Sequence, residues 1–127
     1  MRYSTLWSMP ATLDERLREL YFGDHEGEHF DTNPEIGEAI NTMQYHAPNG
    51  ESWEMVKRRF ISFFKEKFSE SGVYLCYTHG GAICSLTYDL GIQNVISNCS
   101  VVGLRVEDGV PGGVEFEWEF PEIITQW

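Results

Sequence analysis

The stretch VYLCYTHGGAICSLTYDLG, residues 73–91, constrains the fold more than any other. An apolar run with the length and residue types of a buried strand meets Thr78-His79-Gly80-Gly81, and a helical pattern follows over residues 82–90, ending near Gly91. A strand that feeds a helix through two glycines leaves backbone N–H groups free at the turn, where an anion, phosphate above all, binds at little cost. The same place, outside the carboxyl end of a strand in an open α/β sheet, is the usual ligand crevice. His79 therefore reads either as a ligand to such an anion or as a cap on the turn, and this stretch alone leaves both open.

The neighbouring segments supply the other layers. In ESWEMVKRRFISFFKEKF, Trp53, Val56, Phe60, Phe63, Phe64 and Phe68 recur at helical spacing and form one apolar stripe. Glu51 and Glu54 belong to the first turn and Lys65 and Lys67 to the last, which complements the helix dipole, and Gly72 is a stop signal. The aromatic stripe reads as core. A second helix is expected over residues 34–45, with Asn33 as N-cap and Pro34 at the first helical position. APNG, residues 47–50, is a turn. Residues 1–11 read as irregular, LDERLREL (13–20) as ambiguous between helix and loop, and YFGDHEGEHF (21–30) as a loop. NCSVVGLRVEDG reads as a strand closed by a turn at Asp108-Gly109. VEFEWEF, residues 114–120, alternates strictly, which predicts an antiparallel, half-buried strand near an edge, with Val114, Phe116, Trp118 and Phe120 inward. Its outward glutamates suit a solvated edge that resists aggregation.

Composition narrows the class. A chain of 127 residues with 42% hydrophobic and 14% aromatic residues is one globular domain, residues 1–127, able to bury a core without staples. No apolar run is long enough to span a membrane, and the N-terminus lacks the uninterrupted apolar core of a secretory signal. Cys76, Cys84 and Cys99 are odd in number and without CxxC spacing, so buried reduced thiols in a cytoplasmic protein are expected. The net charge of −11 argues against nucleic acid and anionic membranes as partners. It also sets a problem for any phosphate ligand, which needs local positive potential against a repulsive whole-molecule field.

Four segments, RLRELYFGDHEG (16–27), NGES (49–52), YTHGG (77–81) and NCSV (98–101), follow one another in order, and together the sequence resembles the histidine phosphatase superfamily, also called phosphoglycerate mutase-like. The likeness covers most of residues 13–106. It implies an α/β fold, a phosphoglycerate mutase-like sheet with flanking helices. It implies that His79 corresponds to the second active-site histidine, which holds the transferring phosphoryl group, and Glu19 to the acid that protonates the leaving oxygen. A carboxyl in that role must carry a proton when substrate arrives. Gly80 and Gly81 fall in the substrate-binding turn. Glu51 and Ser52 match the turn opening the long helix, a structural place in the family. His25 falls where the family often has tryptophan and reads as a loop residue, while His29 and His46 have no counterpart. The resemblance implies neither metal nor cofactor.

The match breaks at the family's nucleophile, the histidine of an Arg-His-Gly motif on the first strand. Here only fifteen residues precede Arg16, and His79-Gly80 is the sole His-Gly pair. The expectation is therefore the C-terminal portion of such a fold, truncated at the N-terminus and without the two phosphate-binding arginines. Its central VYLCYT strand would lose a neighbour on each side, a severe cost for buried backbone. The sheet must then rearrange, or a second copy in a homodimer or a complementing N-terminal fragment must supply strands. The lineage is that of a phosphomonoesterase or mutase of small phosphorylated metabolites, closer to the broad metabolite phosphatases, with inorganic phosphate as the simplest ligand. The isolated chain is expected to be inactive, and the alternative is a non-catalytic ligand-binding or protein-interaction module derived from the fold.

Overall fold

The structure, a computed structural model, describes residues 10–29, 32–93 and 96–118. Three α-helices, α1 (Pro34–Asn41), α2 (Trp53–Lys67) and α3 (Gly80–Thr87), precede an antiparallel ribbon of β1 (Val101–Glu107) and β2 (Val110–Trp118). Short 3-10 turns lie at Glu15–Leu17, Gly23–His25 and Tyr88–Leu90.

Helix α2 organises the core. Ser52 caps it by accepting the Met55 N–H at 3.2 Å, and its apolar stripe buries Trp53, Val56, Phe60, Phe63 and Phe64 as the spacing predicts. Leu20, Tyr45 and Ala47 close on that stripe from the preceding loops, and Ala82 and Leu86 of α3 close on it from the following helix. The aromatic series continues past the helix end, since Phe68 stacks on Phe64 at 5.1 Å and on Tyr74 at 4.2 Å. Leu104 and Val106 bring the ribbon against the same cluster. The ribbon turns at Asp108-Gly109, where both residues have positive φ, the geometry that matches a two-residue hairpin to strand twist.

Several expectations change. Helix α1 has its Asn33 cap and Pro34 start, but stops at Asn41 rather than residue 45. Met43 enters the left-handed region at φ 60°, and the N–H groups of Gln44 and Tyr45 both reach back to the Ala39 carbonyl, which ends the helical register. Helix α3 starts at Gly80, two residues early, and hands over to a 3-10 turn closed by Gly91 at φ 100°. Glu51 precedes the α2 cap instead of occupying its first turn. In β2, Phe116 and Trp118 are exposed and stack on each other at 4.7 Å, because among the described residues no layer covers that face of the ribbon. Phe120 lies outside the described residues. Cys84 is buried, but Cys76 is only half-buried and Cys99, at φ 64° in a turn, is exposed; all three are free thiols.

The largest departure is VYLCYT. Residues 73–79 lie outside any helix, yet among the described residues they join no ladder, and no parallel strand pair forms. Val73 is fully exposed, and Leu75 and Tyr77 are 66% and 76% exposed. The opposite side is half-buried through Cys76 and Thr78. The period-2 pattern of a strand is present, but what covers its outer side is not supplied by the described residues. Residues 1–9, whose irregular reading comes from sequence, lie outside the described residues.

Because the core centres on α2 and the ribbon is peripheral, truncation should cost very different amounts at the two places. Phe60→Ala should destabilise by about 3–5 kcal/mol. Trp118→Ala should change stability by less than about 1 kcal/mol. Urea unfolding followed by circular dichroism checks both, and similar losses would show that the ribbon face is buried in solution.

Candidate active site

Glu19 lies in a segment that has almost no regular structure of its own, so side chains from elsewhere hold it. The Arg59 guanidinium donates to the carbonyls of Arg16 at 2.6 Å, Arg18 at 2.8 Å and Glu19 at 3.0 Å. It also pairs with Glu51, from Nε to Oε2 at 2.9 Å and from Nη2 to Oε1 at 3.2 Å. Thr78 Oγ1 donates to the remaining carbonyl, that of Leu17, at 2.6 Å. Residues Tyr21 and Glu51 then clasp each other: the Tyr21 N–H reaches Glu51 Oε1 at 2.9 Å and the Glu51 N–H reaches the Tyr21 carbonyl at 2.8 Å. Four successive carbonyls and the amide after Leu20 are thus satisfied by fixed partners, which leaves the Glu19 side chain one direction to point.

That direction is the start of α3. Glu19 Oε2 accepts the Gly81 N–H at 3.0 Å, and Oε1 accepts the N–H of Leu20 at 3.0 Å. His79 is the N-cap residue of the same helix, extended at φ −124° and ψ 157°, with its ring exposed and making no capping bond. The strand-to-helix junction predicted from sequence therefore exists as an extended-to-helix junction, with His79 at its N-cap and the Glu19 carboxylate on the Gly81 amide two residues on. The expected free N–H at Gly81 is not free, since the protein's own carboxylate occupies it.

The two glycines have packing reasons as well. A side-chain carbon on Gly81 would come within 2.6 Å of the Trp53 ring and 2.8 Å of both Glu19 oxygens. One on Gly80 would lie 2.6 Å from the Ile96 carbonyl. Only glycine lets the carboxylate approach the helix start so closely.

The other histidines serve the scaffold. His25 Nδ1 shares a 2.6 Å hydrogen bond with the Tyr45 hydroxyl, and His46 bridges to Ser52 beside the α2 cap. His29 offers its carbonyl to Thr32. Among the described residues no group of histidine, cysteine and carboxylate side chains is arranged to hold a metal. No described helix is long and apolar enough to cross a membrane.

Sequence reasoning overlooked Arg59 and Thr78. Arg59 carried a readable signal, because it sits with Val56, Phe60 and Phe63 on the buried side of α2, where a charge must have partners. The electrostatics agree. Burial pushes the Glu51 carboxyl up, but hydrogen bonds from Arg59 and the Tyr21 amide, with the charges of Arg59 and Arg18, outweigh it and hold the group below the usual carboxylate range. Burial pushes the Cys76 and Cys84 thiols up, and the Glu19 charge adds to the rise at Cys84.

Compared with known proteins, residues 3–118 match the model of the histidine phosphatase superfamily, branch 1. The chain belongs to the histidine phosphatase superfamily. It is 31% identical over 118 residues to a Hydrogenobacter thermophilus protein named "Putative phosphoserine phosphatase 2", covering 82% of this chain and 58% of that one. Among solved structures it is similar to phosphoglycerate mutase from Thermus thermophilus, with TM-score 0.73, 26% identity, and coverage of 92% of this chain and 66% of that one. It is also similar to TTHB049 of the same organism, with TM-score 0.64, 28% identity, and coverage of 78% and 58%. The fold is thus the α/β phosphoglycerate mutase-like one, and the chain spans about six-tenths of the length of these relatives. Its sequence has no Arg-His-Gly.

Removing Arg59 breaks a buried pair and orphans three carbonyls, so Arg59→Ala should cost about 3–5 kcal/mol in chemical denaturation. Arg59→Lys should recover only part of this, because an ammonium cannot span the same acceptors. The folded Glu51 titrates below its unfolded value of about 4.3. Its contribution is therefore fully present above that value and is lost as pH falls through the folded one. Glu51→Gln should flatten the stability profile below about pH 4.3, a comparison made by thermal melts from neutral to acid pH. Gly81→Ala should destabilise by about 1–3 kcal/mol through overpacking, and NMR should show the Leu20 amide shifting as the carboxylate is displaced.

Proposed function

We propose that the chain supplies one side of a phosphomonoester site for small phosphorylated metabolites. His79 holds the phosphoryl oxygens, the Gly80 and Gly81 turn supplies backbone donors, and Glu19 gives a proton to the departing alcohol oxygen. The observation that carries this reading is the 3.0 Å hydrogen bond from Gly81 to Glu19, which brings the carboxylate to the start of the helix that His79 opens. A helix start favours negative charge, so an arriving phosphate competes with Glu19 for the same N–H and frees its carboxyl to face the ester oxygen. As a nucleophile brought by a partner polypeptide bonds to phosphorus and the bond from phosphorus to the ester oxygen breaks, that oxygen takes the proton carried by the Glu19 carboxyl and leaves as a neutral alcohol.

The nucleophile is not among these residues: His79-Gly80 follows a threonine, and no other histidine precedes a glycine. We therefore assign negligible turnover to the chain alone. Residues 73–79, without a ladder partner among the described residues, are the place where a second polypeptide pairs. A second copy in a homodimer would satisfy the backbone, whereas only a complementing N-terminal fragment bearing Arg-His-Gly would also bring the nucleophile. The free thiols suit the cytoplasm. The exposure of Val73, Leu75 and Tyr77 favours a second reading as well, a non-catalytic interaction module that retains the pocket.

Vanadate tests the phosphate reading. At ten times its dissociation constant it should stabilise the chain by about 1.4 kcal/mol. That is a rise of a few degrees in Tm, and it should vanish in His79→Ala. Hydrolysis of p-nitrophenyl phosphate should be near background in both. No thermal shift in the unsubstituted chain contradicts the phosphate site, and His79-dependent hydrolysis contradicts the assignment of the nucleophile to a partner.

A further inference from the structure

We infer that the cavity beside Glu19 receives the alcohol portion of the phosphomonoester and selects an uncharged apolar or aromatic one; this rests on the reading of Glu19 as the proton donor to that alcohol. The cavity has a volume of about 250 Å³, and Glu19 and Gly81 belong to its lining, so it adjoins the place where the ester oxygen would lie. A dry cavity of roughly 150 Å³ already takes up benzene, so a phenyl-sized group fits with room for a substituent.

Its walls decide the chemistry. Phe22, Ile40, Met43, Trp53, Cys84 and Ile92 give an apolar lining, and the polar remainder, Asn41, Tyr88 and Gln93, is uncharged. Among the described lining residues there is no lysine, arginine or histidine, and the one acidic residue is Glu19. Phosphoserine and phosphoglycerate, which the names of the relatives invoke, both carry a carboxylate next to the phosphate. Placed here, that group would lose its water and find no cation on the protein to pair with, in a chain of net charge −11. The cavity that adjoins Glu19 is therefore built against such substrates.

A second feature points to what the ligand should offer. Trp53 lines the cavity and is only 4% exposed, yet its Nε1–H has no hydrogen-bond partner among the described residues. A buried donor without an acceptor is costly, and the indole N–H, itself closed off from solvent, would gain from a neutral ligand oxygen only where the ring turns to meet it. The preferred alcohol is thus aromatic or aliphatic, with at most one neutral acceptor beyond the ester oxygen.

The test is a titration of the full 127-residue chain followed by NMR at the Trp53 indole N–H, the Met43 methyl and the Gly81 amide. Phenyl phosphate should bind at least tenfold tighter than phosphoserine and move all three signals. Benzyl alcohol, with no phosphate, should move the first two, and Ile40→Trp should reduce phenyl phosphate to the affinity of inorganic phosphate. Phosphoserine binding as tightly as phenyl phosphate, or benzyl alcohol leaving Met43 and Trp53 unmoved, overturns the inference. If inorganic phosphate leaves Gly81 unmoved while benzyl alcohol shifts Met43, the cavity assignment stands and the phosphate reading fails.

Discussion

Everything near the candidate site depends on one buried ion pair. Arg59 and Glu51, with side chains 13% and 9% exposed, lie on either side of the α2 cap and together fix the backbone from Arg16 to Tyr21. That segment has only a single 3-10 turn and buries little apolar surface besides Leu20. Its shape is set instead by charge-assisted hydrogen bonds to carbonyls, the kind that are strong and directional. The pair is a poor source of net stability, since burying two charges consumes most of what their attraction returns. What it gives is position: it holds Glu19 against α3, a helix that belongs to a different part of the chain.

The site is thus assembled from three independent supports. Helix α2 carries Arg59 and Trp53, the run before α3 carries Thr78 and His79, and the loop before α2 carries Glu51. The aromatic core beneath them holds α2 and α3 at a fixed separation through Trp53, Val56, Ala82 and Leu86. The close approach at Gly81 makes use of that separation, because it lets a carboxylate sit on the first turn of α3. The apolar cavity next to it follows from the same packing, with Trp53 serving at once as core and as wall.

Much of this was legible in the residues. Helix α2 announced itself through its apolar stripe, and the turn at Asp108-Gly109 through its composition, because local sequence dictates both. The junction at His79 was legible because Gly-Gly permits what no other pair does. The place of Arg59 on the buried side of α2 was readable, but its partners were hidden, since they are carbonyls some forty residues away and a carbonyl has no sequence signature. The exposed faces of residues 73–77 and of Phe116 and Trp118 read as buried for a related reason. Alternation tells which residues share a side, but not whether anything lies against it. The family assignment came through four short motifs whose order mattered more than any one of them.

The central claim is that Glu19 and His79 converge on one anion position at the start of α3. A crystal of this chain soaked with tungstate tests it most directly, because the heavy anion marks its own position. The account predicts an anion within hydrogen-bonding distance of the His79 ring and the Gly81 amide, with the Glu19 carboxylate displaced from that amide. Tungstate bound elsewhere, with Glu19 still seated on Gly81, would contradict it.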